Sequence, residues 1–194
     1  VNRTDKRTST KFTMIHHNRT GKLFVISAPS GTGKTSLVKA LMNNQKDIYL
    51  SISTTTRKAR SGEIHGKDYE FVSEKQFESI KASGGFLEWA KVYGNYYGTK
   101  SEYIFEGIQA GKKIILEIDY QGAMQIKKKY KDKNILKLIF IKPPSLKELF
   151  NRLKLRDQDS DVVIQDRLAL AELEMKQAGN FDYVIINDDF DSAV

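Results

Sequence analysis

Between an apolar run at residues 23–27 and the first amphipathic stretch, the chain reads Ala28-Pro29-Ser30-Gly31-Thr32-Gly33-Lys34-Thr35-Ser36. The spacing is GxxxxGK[ST] with alanine in the first position. Glycines at 31 and 33 let backbone N–H groups turn inward, and a helix opening at Lys34 adds its positive dipole end. A lysine in this place reaches β- and γ-phosphates, and a threonine hydroxyl reaches Mg²⁺. Residues 28–36 are therefore expected to bind ATP, with Lys34 catalytic and Thr35 a metal ligand. Enzymes, switches and motors all use such a loop, so the acceptor has to be read elsewhere.

Two other groups of residues suit phosphate chemistry. Arg57 and Arg60 lie three apart in a polar stretch, and turns at 62–69 and 94–99 carry tyrosines. Two forked guanidiniums and two phenols can clamp a phosphate dianion. Residues 114–119 form an apolar strand ending in acids, the setting of a carboxylate that holds Mg²⁺ through water, and Asp119 is the candidate.

Seven segments, SAPSGTGKT, STTTRKAR, GEIHGKDYEF, FLEWA, GNYYGT, ILEIDYQG and VIINDDFD, follow one another in this order. Together they resemble the guanylate kinases from about residue 23 to residue 193. The resemblance implies transfer of the γ-phosphoryl group of ATP to GMP, with Mg²⁺ accompanying ATP. It implies that Arg57, Arg60, Tyr69 and Tyr97 hold the GMP phosphate, with Arg57 also catalytic. Ser53 and Thr99 would bond guanine O6, and Glu88 would accept from guanine N1–H and the 2-amino group. Adenine offers a lone pair at N1 and nothing at C2, so a carboxylate there repels it; sites built on hydrogen bonds reject analogues lacking them by roughly 10⁴–10⁵-fold. Glu117 would face the acceptor nucleotide, where the family often has aspartate. Arg152, Arg156 and Arg167 would belong to a lid over ATP and act on the transferring group, although Leu155 and Asp157 stand where the family has glycines. Asn187 would contact adenine. Relatives continue into a C-terminal helix, so a chain ending at Val194 is expected to be short.

The elements that must position these groups alternate. Strands are expected at 23–27, 49–54, 69–72, 86–92, 113–118, 135–141 and 183–186. Helices are expected at 34–43, from a Ser73-to-Gln76 capping box to Gly84, at 101–109, at 122–130, after Ser145, and along Ile164, Leu168, Ala171 and Met175, one face at helical spacing. A turn is expected at 94–98. The pattern predicts an α/β fold: a parallel sheet flanked by helices (core about 23–50 and 100–194), a small mixed α/β GMP-binding insert (about 51–99) and a helical lid (about 152–166).

The formal charge of +8 suggests nucleic acid until it is located. Residues 1–22 hold six basic side chains against Asp5 alone, so the other 172 residues carry only +3. That stretch reads as a basic, aperiodic tail in which Met14 could be an alternative start and His16 and His17 are solvated. With no cysteine and no apolar run of membrane-spanning length, the expectation is a cytoplasmic enzyme acting on small nucleotides, without nucleic-acid or membrane partners. The rival readings are a guanylate-kinase-like interaction domain without catalysis and a P-loop kinase with another acceptor. Lys34, Thr35 and Asp119 argue against the first, and Glu88 with Ser53 and Thr99 against the second.

Overall fold

The computed structural model describes residues 21–130, 132, 134–155 and 160–194. Arg156 and Asp157, both singled out in the sequence, lie outside the described residues, as does the N-terminal stretch up to residue 20.

Strand β1 (Lys22–Ser27) runs through the middle of a five-stranded parallel sheet ordered β2 (Ile48–Leu50), β7 (Lys113–Glu117), β1, β8 (Leu136–Lys142), β9 (Tyr183–Ile186). Its residues are apolar on both sides because both faces are covered. Leu23 and Val25 join Leu116, Leu138 and Phe140 in the core beneath Ile104, Ala123 and Ile126. These three belong to helices α3 (Ser101–Gln109) and α4 (Tyr120–Lys129). Ile26, Ile115 and Ile141 face the other way, onto Leu37 and Val38 of α1 (Lys34–Asn44). The strand C-termini therefore converge where α1 and α4 begin, the edge at which α/β sheets bind ligands.

A second sheet, ordered β4 (Glu70–Phe71), β3 (Thr54–Thr55), β6 (Asn95–Lys100), β5 (Phe86–Val92), lies between β2 and α3 in the chain. Helix α2 (Glu74–Ala82) opens on the expected capping box, with Ser73 and Gln76 each bonded to the other's backbone N–H. Its Phe77 is fully buried against Phe86 and Tyr96, at ring-centroid distances of 4.4 and 5.3 Å. Helices α5 (Leu146–Leu155) and α6 (Asp161–Lys176) pack together through Leu149, Leu153, Ile164 and Ala171. A four-residue helix, α7 (Phe190–Ala193), ends the chain.

The parallel α/β architecture agrees with the sequence, and three local expectations change. The run at 49–54 splits: β2 joins the large sheet and β3 the small one. Residues 94–98 are not one turn. The reversal is a two-residue hairpin at Tyr93 and Gly94, with φ of 48° and 80°, and β6 follows at once. Positive φ at both turn positions marks a type I′ hairpin, and here a tyrosine supplies one of them. Helix α4 begins at Tyr120 rather than 122, because the Asp119 side chain caps it by accepting from Gly122 N–H at 2.8 Å.

Candidate active site

The phosphate loop links β1 to α1. Gly33 N-caps α1 in the left-handed region, at φ 95°, and a Cβ there would lie 2.8 Å from Asn187 Nδ2. Asn187 is itself buried, and its amide donates to Thr32 O at 2.7 Å. The expected adenine contact thus sits directly behind the loop and braces it. Gly31, at φ 91°, faces helix α5, where Leu153 and Leu149 would meet an added Cβ at 2.7 and 3.0 Å. Lys34 Nζ donates to Ile118 O at 3.0 Å, which holds the ammonium across the loop mouth. Thr35 Oγ1 donates to Glu117 Oε1, so its lone pairs stay free to accept a cation. Thr35 and Ser36 are exposed, whereas Pro29 is buried.

Opposite the loop, Arg57 donates both terminal nitrogens to Glu63, at 2.9 and 2.8 Å, and stands 5.3 Å from the Tyr69 ring centroid. The hydrogen bond from Arg57 holds the Glu63 carboxyl below its ordinary value, and the same bond raises the guanidinium. Glu63 also accepts from the Arg60 backbone N–H at 2.7 Å, so one carboxylate holds the Arg57 side chain and the Arg60 main chain. Tyr69 and Tyr97 meet edge to face at 6.1 Å. Burial, and then the nearby Glu117 charge, pushes the Tyr69 hydroxyl up and keeps it a neutral donor.

Glu88 is 3 % exposed and accepts from Thr99 Oγ1 at 2.6 Å. Burial pushes its carboxyl up to about 7 against the lowering effect of that bond, and the Asp119 charge adds to the rise. Glu174 on α6 is also pushed up to about 7 by burial, next by Asp119, while Lys34 opposes the shift. Asp119 is raised by burial and lowered chiefly by the Gly122 N–H.

Most of these groups open on one cavity of about 290 Å³. Its wall includes the loop from Ala28 to Ser36 apart from Thr32, together with Ser53, Arg60, Tyr69, Glu88, Tyr97, Glu117, Asp119, Arg167 and Glu174. Arg57 stands behind that wall on Glu63, and Thr99 behind Glu88. Arg152 bonds Glu148 at 3.0 Å and reaches Thr32 O at 3.5 Å, while Arg167 lies 5.6 Å from the Tyr93 ring centroid. Glu117 sits on the border of the two halves: it contacts Thr35 and its charge is felt at Tyr69.

Two residues escaped the sequence reading. Glu63 follows Arg57 by six and Arg60 by three in a polar loop, where an acid has many innocent reasons to occur. Glu174 carried a usable signal, since it is a charge ten residues from Ile164 and three from Ala171, on the buried face of α6.

The chain matches the guanylate kinase family over residues 20–194. It is 49% identical to the guanylate kinase of Chromobacterium violaceum over 173 residues, covering 89% of this chain and 81% of that protein. With the guanylate kinase of Syntrophomonas wolfei the identity is 49% over 177 residues, covering 91% and 89%. The crystal structure of guanylate kinase from Anaplasma phagocytophilum superposes with a TM-score of 0.71 at 32% identity, covering 90% of this chain and 80% of that one. Matched in sequence and in fold along nearly the whole described chain, this chain is a member of the guanylate kinase family.

Proposed function

We propose that this chain moves the γ-phosphoryl group of ATP onto GMP, giving ADP and GDP, with the two nucleotides bound in the two halves of the shared cavity. The observation that carries the reading is the convergence of Lys34 and Thr35 with Arg60, Tyr69, Tyr97 and Glu88 on one cavity. A non-catalytic interaction domain has no use for an intact phosphate loop whose lysine and threonine are both held in place.

Phosphoryl transfer needs alignment and charge neutralisation more than covalent help. Residues 28–36 cradle the ATP phosphates, and Lys34 neutralises charge at the β- and γ-groups. Arg152, Arg156 and Arg167 act on the transferring group, and Asn187 fixes the loop beneath the adenine end. Arg57, held by Glu63, and Arg60 present the GMP phosphate in line, with Tyr69 and Tyr97 donating to its oxygens. Ser53 meets guanine O6, while Thr99, fully buried and with its one hydroxyl proton given to Glu88, holds that carboxylate instead of reaching O6 as the sequence suggested; Glu88 accepts from N1–H and the 2-amino group. Among the described residues no three His, Cys, Asp or Glu side chains converge to hold a metal. That suits Mg²⁺, which takes one or two protein oxygens beside phosphates and water. Thr35 and Asp119 would hold it, Glu117 orients Thr35, and the ion would neutralise charge on the β- and γ-phosphates.

No helix among the described residues is long and apolar enough to cross a membrane. We assign the protein to the cytoplasm, where its nucleotide substrates are. The deciding test is ADP formation with GMP, AMP, UMP and CMP as acceptors. GMP should be strongly preferred; preference for AMP or UMP would remove the guanine assignment. Lys34→Ala should abolish turnover and leave GMP binding largely intact.

A further inference from the structure

Glu88 is fixed at one oxygen by Thr99, and its other oxygen lies over Gly122. A Cβ at position 122 would stand 2.3 Å from Glu88 Oε2, 3.0 Å from its Cδ and 3.2 Å from Ile118 Cδ1. Gly122 is the third residue of α4 and is not among the positive-φ glycines. Its backbone therefore does not ask for glycine, and within a helix glycine is disfavoured against alanine. What the position demands is space. Its N–H is also used, donating to Asp119 Oδ1 at 2.8 Å.

We propose that Gly122 is a specificity-determining positioning residue. By leaving its Cβ position empty it lets the Glu88 carboxylate sit deep enough to leave room for the purine. Its N–H meanwhile holds Asp119 on the metal side. The inference rests on the reading of Glu88 as the guanine acceptor. A methyl group at 122 meets the far end of a flexible side chain, so the fold can yield at low cost. Glu88 lines the cleft, so the displaced carboxylate can move into it, where the base belongs. Gly122 therefore couples the depth of the base reader to the first turn of α4.

The test uses the full chain. Gly122→Ala should raise KM for GMP by roughly 10–100-fold, the range for a misplaced buried polar contact, and narrow the preference for GMP over AMP. KM for ATP should stay within about twofold and the melting temperature should not fall, since the helix gains alanine. Glu88→Asp shortens the reader; adding Gly122→Ala to it should improve GMP use over Glu88→Asp alone, reversing the sign of the alanine effect. A folded Gly122→Ala enzyme with unchanged KM for GMP and unchanged preference would overturn the proposal, as would an alanine effect of the same sign in both backgrounds. If Gly122→Ala fails to fold, Glu88→Ala must restore folding in the double variant, and no restoration also overturns it. A wild-type enzyme without GMP preference would instead sink the role of Glu88, which keeps the two failures apart.

Discussion

Glu88, proposed as the guanine reader, shows what such a buried carboxylate costs the free protein. Its folded value, about 7, lies above the ordinary 4.5, as does that of Glu174. Between those values the folded state holds a proton that the unfolded chain has released. Stability is thus fully present below about 4.5, is lost as pH rises to 7, and is level above. The loss approaches about 3 kcal/mol for each group. Glu88→Gln should flatten the fall in stability between pH 5 and pH 8 by a share of that size, measured by denaturant unfolding at several pH values. It should also weaken GMP binding, because the amide keeps only one oxygen and turns an NH2 donor toward guanine's own donors. In the wild type, guanine donors favour the charged form, so GMP binding near pH 7 should release a proton, visible by calorimetry in buffers of different ionisation enthalpy. This is a site whose best state for folding is not its best state for function.

Helix α5 backs the phosphate loop at Gly31. Leu153 and Leu149 are fully buried and stand where any side chain at Gly31 would go. Leu153→Ala should cost about 2–5 kcal/mol of stability by leaving a cavity, and should raise KM for ATP more than KM for GMP because the loop loses its backing. Unfolding curves and steady-state kinetics on the same preparation check both. The elements themselves were largely legible. Residues 101–109 and 183–186 were bounded to the residue, because periodicity and flanking turns agree there. The capping box at Ser73 is a local hydrogen-bond pattern and could be read as such. Residues 49–54 could not, since alternation looks the same whichever sheet a strand joins, and the partner of Thr54 is Gly98. Gly94 to Gly98 reads as a turn on its asparagine and two glycines; the Tyr96 ring against Phe77 and Trp89 is what makes 95–98 strand. At the site, motif residues were legible because their chemistry is carried by type and order. Glu63 and Gly122 were not, because their roles depend on what lies 2–3 Å away in space.

At the scale of the whole molecule, two ligands share one cavity between two sheets, so each should stabilise the fold separately. At 100 times its dissociation constant each adds about 2.7 kcal/mol, readable as a rise in melting temperature. Lys34→Ala should lose the ATP increment and keep that of GMP; loss of both would mean the halves are not separable. The bidentate pair of Arg57 with Glu63 then bears on life among competing anions. A guanidinium whose charge is already largely offset, and whose two terminal nitrogens are engaged, offers little to a lone inorganic phosphate. Only a phosphate delivered by a purine anchored deeper in the cleft arrives at a high enough effective concentration to engage it. The carboxylate neighbour would thus act as a filter, keeping the acceptor seat clear of the cell's free phosphate while leaving the arginine already aimed for the nucleotide.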